Sequence, residues 1–94
     1  MIKVICVEKI DDLSNLDRLF SPEDEFVVFD LSRINLINST FISFIHIHDQ
    51  VIALMNPTPK VLVLLKLMGV DKLIPIINHI DQAYSLASVN QKNA

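Results

Sequence analysis

Three adjacent polar residues, Asn38, Ser39 and Thr40, stand at the beginning of a strongly apolar segment. Asparagine, serine and threonine are preferred helix caps, because their side-chain oxygens accept a backbone N–H that the helix leaves unpaired. A phosphate is also tolerated at such a position, since the free N–H groups and the positive end of the helix dipole stabilise its charge. We therefore predict that one of the three caps a helix, and that the Asn38–Ser43 end of this helix binds a partner.

Further polar residues follow Ser39 at helical spacing. Ser43, His46 and Gln50 lie four, seven and eleven positions after it, which places them on one narrow stripe of a helix. Two interpretations stay open, because the stripe either contacts a partner or is simply solvated. The predicted partner-binding residues are Asn38, Ser39, Thr40, Ser43 and His46.

Other candidate sites are weaker. His46 and His48 suggest a metal site. On a helix, however, side chains two positions apart are separated by about 200°, so these two histidines could not bind the same ion. Ser43, His46 and Asp49 share a side and suggest a hydrolytic triad, yet no Gly-x-Ser-x-Gly elbow accompanies them. Asp30 follows an apolar run, and we expect its carboxylate to accept a hydrogen bond from the next loop. We therefore predict a binding protein rather than an enzyme, with no cofactor and no metal.

The composition is typical of one small domain over residues 1–94. Hydrophobic residues are 51% of the chain, charged residues are 20%, and the net charge is −3 with scattered basic residues, which argues against nucleic-acid binding. The longest apolar run of the second half, Val61–Leu65, falls far short of the ~20 residues of a membrane helix. Cys6 is the only cysteine, and we predict that it lies in the core. Because the chain can form no internal disulfide and shows no secretory signal, we predict a cytoplasmic protein without membrane insertion.

The chain alternates between apolar runs and helical patterns. Runs rich in β-branched residues predict strands at Ile2–Glu8, Phe26–Leu31, Val61–Leu65 and Ile74–Ile77, with Pro75 tolerable only at a sheet edge. Because the second and third runs lack alternation, we expect both of their faces to be covered, as in a parallel sheet.

Helical spacing predicts a short helix capped by Asp11, a long helix over Ser39–Met55 and a terminal helix over Asp81–Val89 capped by Asp81. Gly69 is predicted to end a helix or to form a tight turn, before a helical turn at Val70–Leu73. Strands that alternate with helices predict an α/β domain, with a mostly parallel sheet of about four strands flanked by about four helices.

Two polar motifs resemble those of the STAS domain, the fold of bacterial anti-sigma factor antagonists. In that family, an Asp-Leu-Ser-like triplet ends a strand and an Asp-Ser-Ser-Gly-like tetrad opens a helix; this chain has Asp30-Leu31-Ser32 and then Asn38-Ser39-Thr40-Phe41. Downstream, Leu67–Leu73 and Asp81-Gln82-Ala83 resemble later elements of the family. The resemblance covers almost all of the chain and indicates a divergent member, trimmed by one N-terminal strand, with Asn38 and Phe41 in place of Asp and Gly.

The resemblance implies a regulatory module that binds an anti-sigma factor that is also a serine kinase. Ser39 would then be the phosphate acceptor, with Thr40 as the alternative. A second interpretation keeps the fold but makes the chain a non-phosphorylated adaptor subunit of a membrane transporter ATPase. The apolar excess and the missing strand, which would leave a sheet edge bare, also favour a homodimer.

Overall fold

The computed structural model describes residues 2–8 and 26–92 of the chain. In these ranges, four strands are present: β1 (Ile2–Cys6), β2 (Phe26–Asp30), β3 (Val51–Met55) and β4 (Ile76–Ile77). They form one sheet in the order β1-β2-β3-β4, and each neighbouring pair is parallel. The predicted α/β class with a parallel sheet is confirmed, whereas the helix predicted after Asp11 lies outside the described residues.

Three α-helices flank the sheet in the described part of the chain: α1 (Ser39–Ile47), α2 (Pro59–Leu67) and α3 (Ile80–Lys92). A 3-10 turn over Val70–Lys72 follows α2. Helix α1 connects β2 to β3, and α2 with the 3-10 turn connects β3 to β4. Both of these helices pack on one face of the sheet, whereas α3 packs on the opposite face.

The two central strands divide their side chains between these two hydrophobic cores. In β2, Val27 faces α1 and α2, and Val28 faces α3. In β3 the register shifts, because Val51 pairs with Val27 whereas Ala53 pairs with Val28, which leaves Ile52 as an extra residue. This bulge directs both Ile52 and Ala53 towards the α3 side.

The predicted long helix over Ser39–Met55 is wrong, because it contains two elements. Helix α1 ends at Ile47, and His48 has an extended backbone with φ −105° and ψ 101° while its N–H still donates to the carbonyl of Phe44. The remaining apolar run is β3, which lies between β2 and β4. Because β3 is covered on both faces, its sequence is apolar throughout and carries no strand-like alternation.

The predicted strand over Val61–Leu65 is also wrong, because these residues lie within α2. Thr58 caps this helix by accepting the Val61 N–H on its Oγ1, at 3.4 Å, and Pro59 occupies the first helical position. Proline suits that position, since its fixed φ fits the helix and its missing N–H would have no helical partner. The cap and the proline outweigh the β-propensity of the valines.

The turn after α2 agrees with the sequence. Gly69 has a left-handed backbone with φ 74°, and the 3-10 turn begins at the next residue. The short β4 lies at the edge of the described sheet, as predicted, but it begins at Ile76, so Ile74 and Pro75 of the predicted strand precede it. Cys6 was predicted to lie in the core, but it is exposed, so that prediction is wrong.

The start of α3 differs from the predicted Asp81 cap. The helix begins at Ile80, and His79 Nδ1 accepts the Asp81 backbone N–H at 3.3 Å. The side chain of Gln82 points back, and its Oε1 accepts the N–H groups of Asn78 and His79 at 2.9 and 3.1 Å. The reciprocal bonds satisfy donors that a helix start leaves unpaired, so the cap is His79 with Gln82 rather than Asp81.

Candidate functional site

The loops that follow the parallel strands meet at the carboxyl edge of the sheet, where α/β proteins usually bind ligands. Thr58, in the loop after β3, donates its hydroxyl to the carbonyl of Ile34, in the loop after β2, at 3.1 Å. The Leu31 N–H also donates to the Met55 carbonyl at 2.9 Å. Because α1 begins directly after this loop, the two bonds fix the position of its N-terminus.

Asn38 is the residue that caps α1. Its backbone is extended, with φ −124° and ψ 170°, and its Oδ1 accepts the Phe41 N–H at 2.8 Å. Among the three polar residues that the sequence offers as caps, the structure thus assigns the role to Asn38. Ser39 and Thr40 occupy the first turn of the helix, and both are exposed.

Phe41 anchors the same turn in the core. Its side chain is fully buried, and its ring meets that of Phe29 edge to face, with centroids 5.5 Å apart. Such an aromatic pair contributes roughly 0.5–1.5 kcal/mol beyond the burial of its area. The cap at Asn38 and the anchor at Phe41 together hold Ser39 and Thr40 in a defined, outward position.

The predicted polar stripe is only partly formed. Ser39, Ser43 and His46 are exposed along α1, opposite the buried Phe41 and Ile45. Gln50 lies beyond the helix, in the turn that leads to β3, so the prediction that it shares the stripe is wrong. We call the surface at the start of α1 the α1 surface; it consists of the half-buried cap Asn38 and the exposed Ser39, Thr40 and Ser43.

His46 lies at the opposite end of α1 from Ser39. At 1.5 Å per residue it stands about 10 Å along the helix from Ser39. There it lines a cleft of about 300 Å³ together with His48, Asp49 and Leu73. His46 is thus one turn beyond Ser43 on the same side of α1, and among the five predicted site residues it is the one that lines this cleft.

The prediction that His46 and His48 point in opposite directions from one helix is wrong. Because α1 ends at Ile47, the 200° rule of a helix does not apply to His48, and both histidine side chains line the same cleft. The His48 ring stacks on Phe44, with ring centroids 4.2 Å apart. Among the described residues, however, no group of three metal-ligating side chains could hold an ion.

Three charged residues, Asp30, Arg33 and Glu8, also lie near the carboxyl edge. Asp30 Oδ1 accepts the Ser32 N–H at 3.0 Å, as expected from the sequence. Arg33 pairs with Glu8 at 3.3 Å and joins the end of β1 to the loop after β2. Both side chains of this ion pair are more than half exposed, so it contributes at most about 1 kcal/mol.

Sequence reasoning missed Asn56 as a residue of this edge. It has φ 51°, the only positive value for a non-glycine residue in the described ranges, and its N–H donates to the carbonyl of Ile77 at 2.9 Å. Asparagine tolerates this left-handed conformation better than most residues do. The Asn56-Pro57 pair that follows β3 is the sequence signal for this turn.

Within the described residues, no helix combines the length and the apolar character needed to cross a bilayer.

Chemically, the α1 surface offers hydroxyl and amide groups at a helix N-terminus, and the first turn of α1 carries no acidic side chain. Such a surface suits hydrogen bonding to a partner or the addition of an anionic group.

Comparisons of the chain with protein-family models, with curated proteins and with solved structures find no match.

Proposed function

We propose that this chain is a STAS-like regulatory module that binds a protein partner through the α1 surface. The partner class is an anti-sigma factor that is also a serine kinase, and Ser39 is the phosphate acceptor. The observation that carries the proposal is the division of roles at the helix start. Because Asn38 supplies the cap, the exposed Ser39 hydroxyl, which hydrogen-bonds to no described residue, is available for modification.

The surroundings of Ser39 support a switch that leaves the fold intact. A phosphate brings about −1.5 to −2 charges at neutral pH. The first turn of α1 has no acidic residue to repel it, and the unpaired N–H groups of that turn face the added charge. A partner that places a carboxylate or an apolar surface against Ser39 would be repelled by the phosphate, so modification would release it.

A second candidate function has its own support. The two positions at which the sequence departs from the family tetrad both have structural roles here, because Asn38 caps α1 and Phe41 fills the core. These structural roles therefore explain both substitutions without any need for phosphorylation. They fit an adaptor subunit that binds a membrane transporter ATPase through the same surface, with Ser39 and Thr40 as contact residues.

Phosphorylation tests the first candidate. The protein is incubated with ATP and a serine kinase of the anti-sigma factor class that binds it, and phosphate is located by mass spectrometry. We expect phosphate on Ser39, lost in Ser39→Ala and retained in Thr40→Ala. The reversed pattern would transfer the role to Thr40, whereas no phosphate from a kinase that binds the protein would contradict the switch.

A homodimer also remains a prediction. The residue Val4 of β1 is 44% exposed, and in the described part of the chain β1 pairs only with β2. An uncovered strand edge favours pairing with a second copy. Light scattering at tens of micromolar concentration should give the mass of a dimer, and a monomeric mass would contradict this prediction.

A further inference from the structure

Helix α2 is apolar on its outer face as well as on its inner one. Val61 and Leu65 are fully buried and attach the helix to the sheet. Val63 lies about 160–200° around the helix from both of them. It is 56% exposed, and Leu67, one turn further on, is 78% exposed. Two large apolar side chains one turn apart on the solvent side are more than a single surface hydrophobe.

Lysines border this apolar line on both sides. At about 100° per residue, Lys60 and Lys66 lie some 60° to either side of Val63, and both are exposed. The helix contains no aspartate or glutamate, so these lysines are its only charged groups. Met68, which follows the helix, is also 50% exposed. We call Lys60, Val63, Lys66 and Leu67 the α2 stripe.

We propose that the α2 stripe binds an amphipathic helix of a partner protein, whose apolar residues lie one turn apart and are flanked by aspartate or glutamate. The apolar side chains of the two helices would exclude water from the contact, and the carboxylates would face Lys60 and Lys66. Charge complementarity of this kind selects the partner and its orientation. The stripe shares no residue with the α1 surface, so this second surface goes beyond the proposed function.

Charge favours this occupant over a second copy of the chain. Two α2 stripes placed face to face would bring four lysines together, and like charges across an interface are unfavourable. A membrane is also disfavoured. The stripe offers only two lysines and no aromatic anchor to an anionic bilayer surface, and the net charge of the chain is −3. The anionic partner surface is therefore a protein helix.

The test uses the full chain, labelled with ¹⁵N, and a synthetic stapled helical peptide. The peptide carries leucines one turn apart flanked by glutamates, and a matched peptide carries lysines in place of the glutamates. We expect the glutamate peptide to shift the amide resonances of α2 and its ends. The dissociation constant should rise about tenfold in the Lys60→Glu/Lys66→Glu variant, since two attractive contacts between exposed charges become repulsive.

Tyr84→Glu provides the control, because this exposed residue of α3 lies on the other side of the sheet. Its affinity for the glutamate peptide should match that of the parent chain. Equal binding of both peptides, or resonance shifts away from α2, would overturn the proposal. Sedimentation with vesicles of phosphatidylcholine and phosphatidylserine that is lost in the lysine variant would also overturn it, in favour of a membrane. Failure of Ser39 phosphorylation would leave these outcomes unchanged.

Discussion

Replacing the cap of α1 tests how the α1 surface is held. Asn38→Ala removes the oxygen that accepts the Phe41 N–H at 2.8 Å, and nothing else in the alanine side chain replaces it. Loss of an N-cap costs about 0.5–2 kcal/mol. The hydrogen bond is partly buried, and the donor belongs to a residue whose side chain is fully buried. We therefore expect the upper half of this range, about 1–2 kcal/mol of unfolding free energy.

Urea denaturation followed by circular dichroism measures this loss, with the slope of the transition checked for constancy. In thermal unfolding, 1 kcal/mol corresponds to a shift of roughly 4–8 °C for a domain of this size. Asn35→Ala is the matched control, because the same change is made in the same loop at an exposed residue without a described hydrogen bond. Equal stability of the two variants would refute the assignment of Asn38 as the cap.

Further predictions concern the neighbouring loops. Thr58→Val keeps the side-chain shape but loses the hydrogen bonds to Ile34 and Val61. The free energy of unfolding, measured by urea denaturation, should fall by about 1–2 kcal/mol. An unchanged midpoint would mean that these bonds contribute nothing to stability. Asn56→Ala should lose about 1 kcal/mol because of its left-handed backbone, whereas Asn56→Gly should stay within about 0.5 kcal/mol, and equal losses would contradict this reason. The exposed Cys6 should react fully with a thiol reagent in the native protein, and protection until denaturation would contradict its placement.

An acidic cap makes stability depend on pH in a known direction. Asn38→Asp keeps the acceptor and adds a negative charge at the N-terminus of α1, worth about 0.3–1 kcal/mol. The helix should hold the pKa of the new carboxyl below its unfolded value of about 3.9. The added stability is then present above pH 4 and disappears as the pH falls through the folded pKa. A gain in stability that persists at pH 2 would contradict this explanation.

The start of α1 could be predicted from the sequence because local chemistry determines it. Asn38 stands between an irregular segment and an apolar helical pattern, and its side chain acts on a backbone group three residues away. The ends of β1 and β2 were also close to their predicted positions, since β-branched residues cluster there. Asp30 behaves as expected for the same reason, because its partner is the N–H of the nearby Ser32.

The boundary between α1 and β3 was missed because no residue marks it. The turn at 48–50 contains neither glycine nor proline, and the apolar residues on its two sides continue the helical spacing. Short apolar runs fit a buried strand as well as a buried helix. What makes Val51–Met55 a strand is pairing with β2 and β4, a tertiary effect that spacing along the chain does not contain.

At α2 a helix was predicted as a strand, although the sequence contains a local signal for the helix. Thr58-Pro59 is a typical helix start, with a cap followed by proline at the first position. The β-branched residues Val61 and Val63 favoured the strand interpretation, but their propensity is weak beside a cap. A strand over Val61–Leu65 buried on both faces would have no exposed apolar side, so the outer side of α2 does not follow from that prediction.

Site-specific photo-cross-linking tests the central claim most directly. A photoreactive phenylalanine analogue replaces Thr40 on the α1 surface or, as the control, Tyr84 on α3, and the protein is irradiated in its source cells. We predict one discrete adduct from position 40 that is absent from position 84, with a kinase-type anti-sigma factor or a transporter ATPase as the captured protein. Adducts that are identical at both positions, or that form only at position 84, would contradict partner binding through the N-terminus of α1.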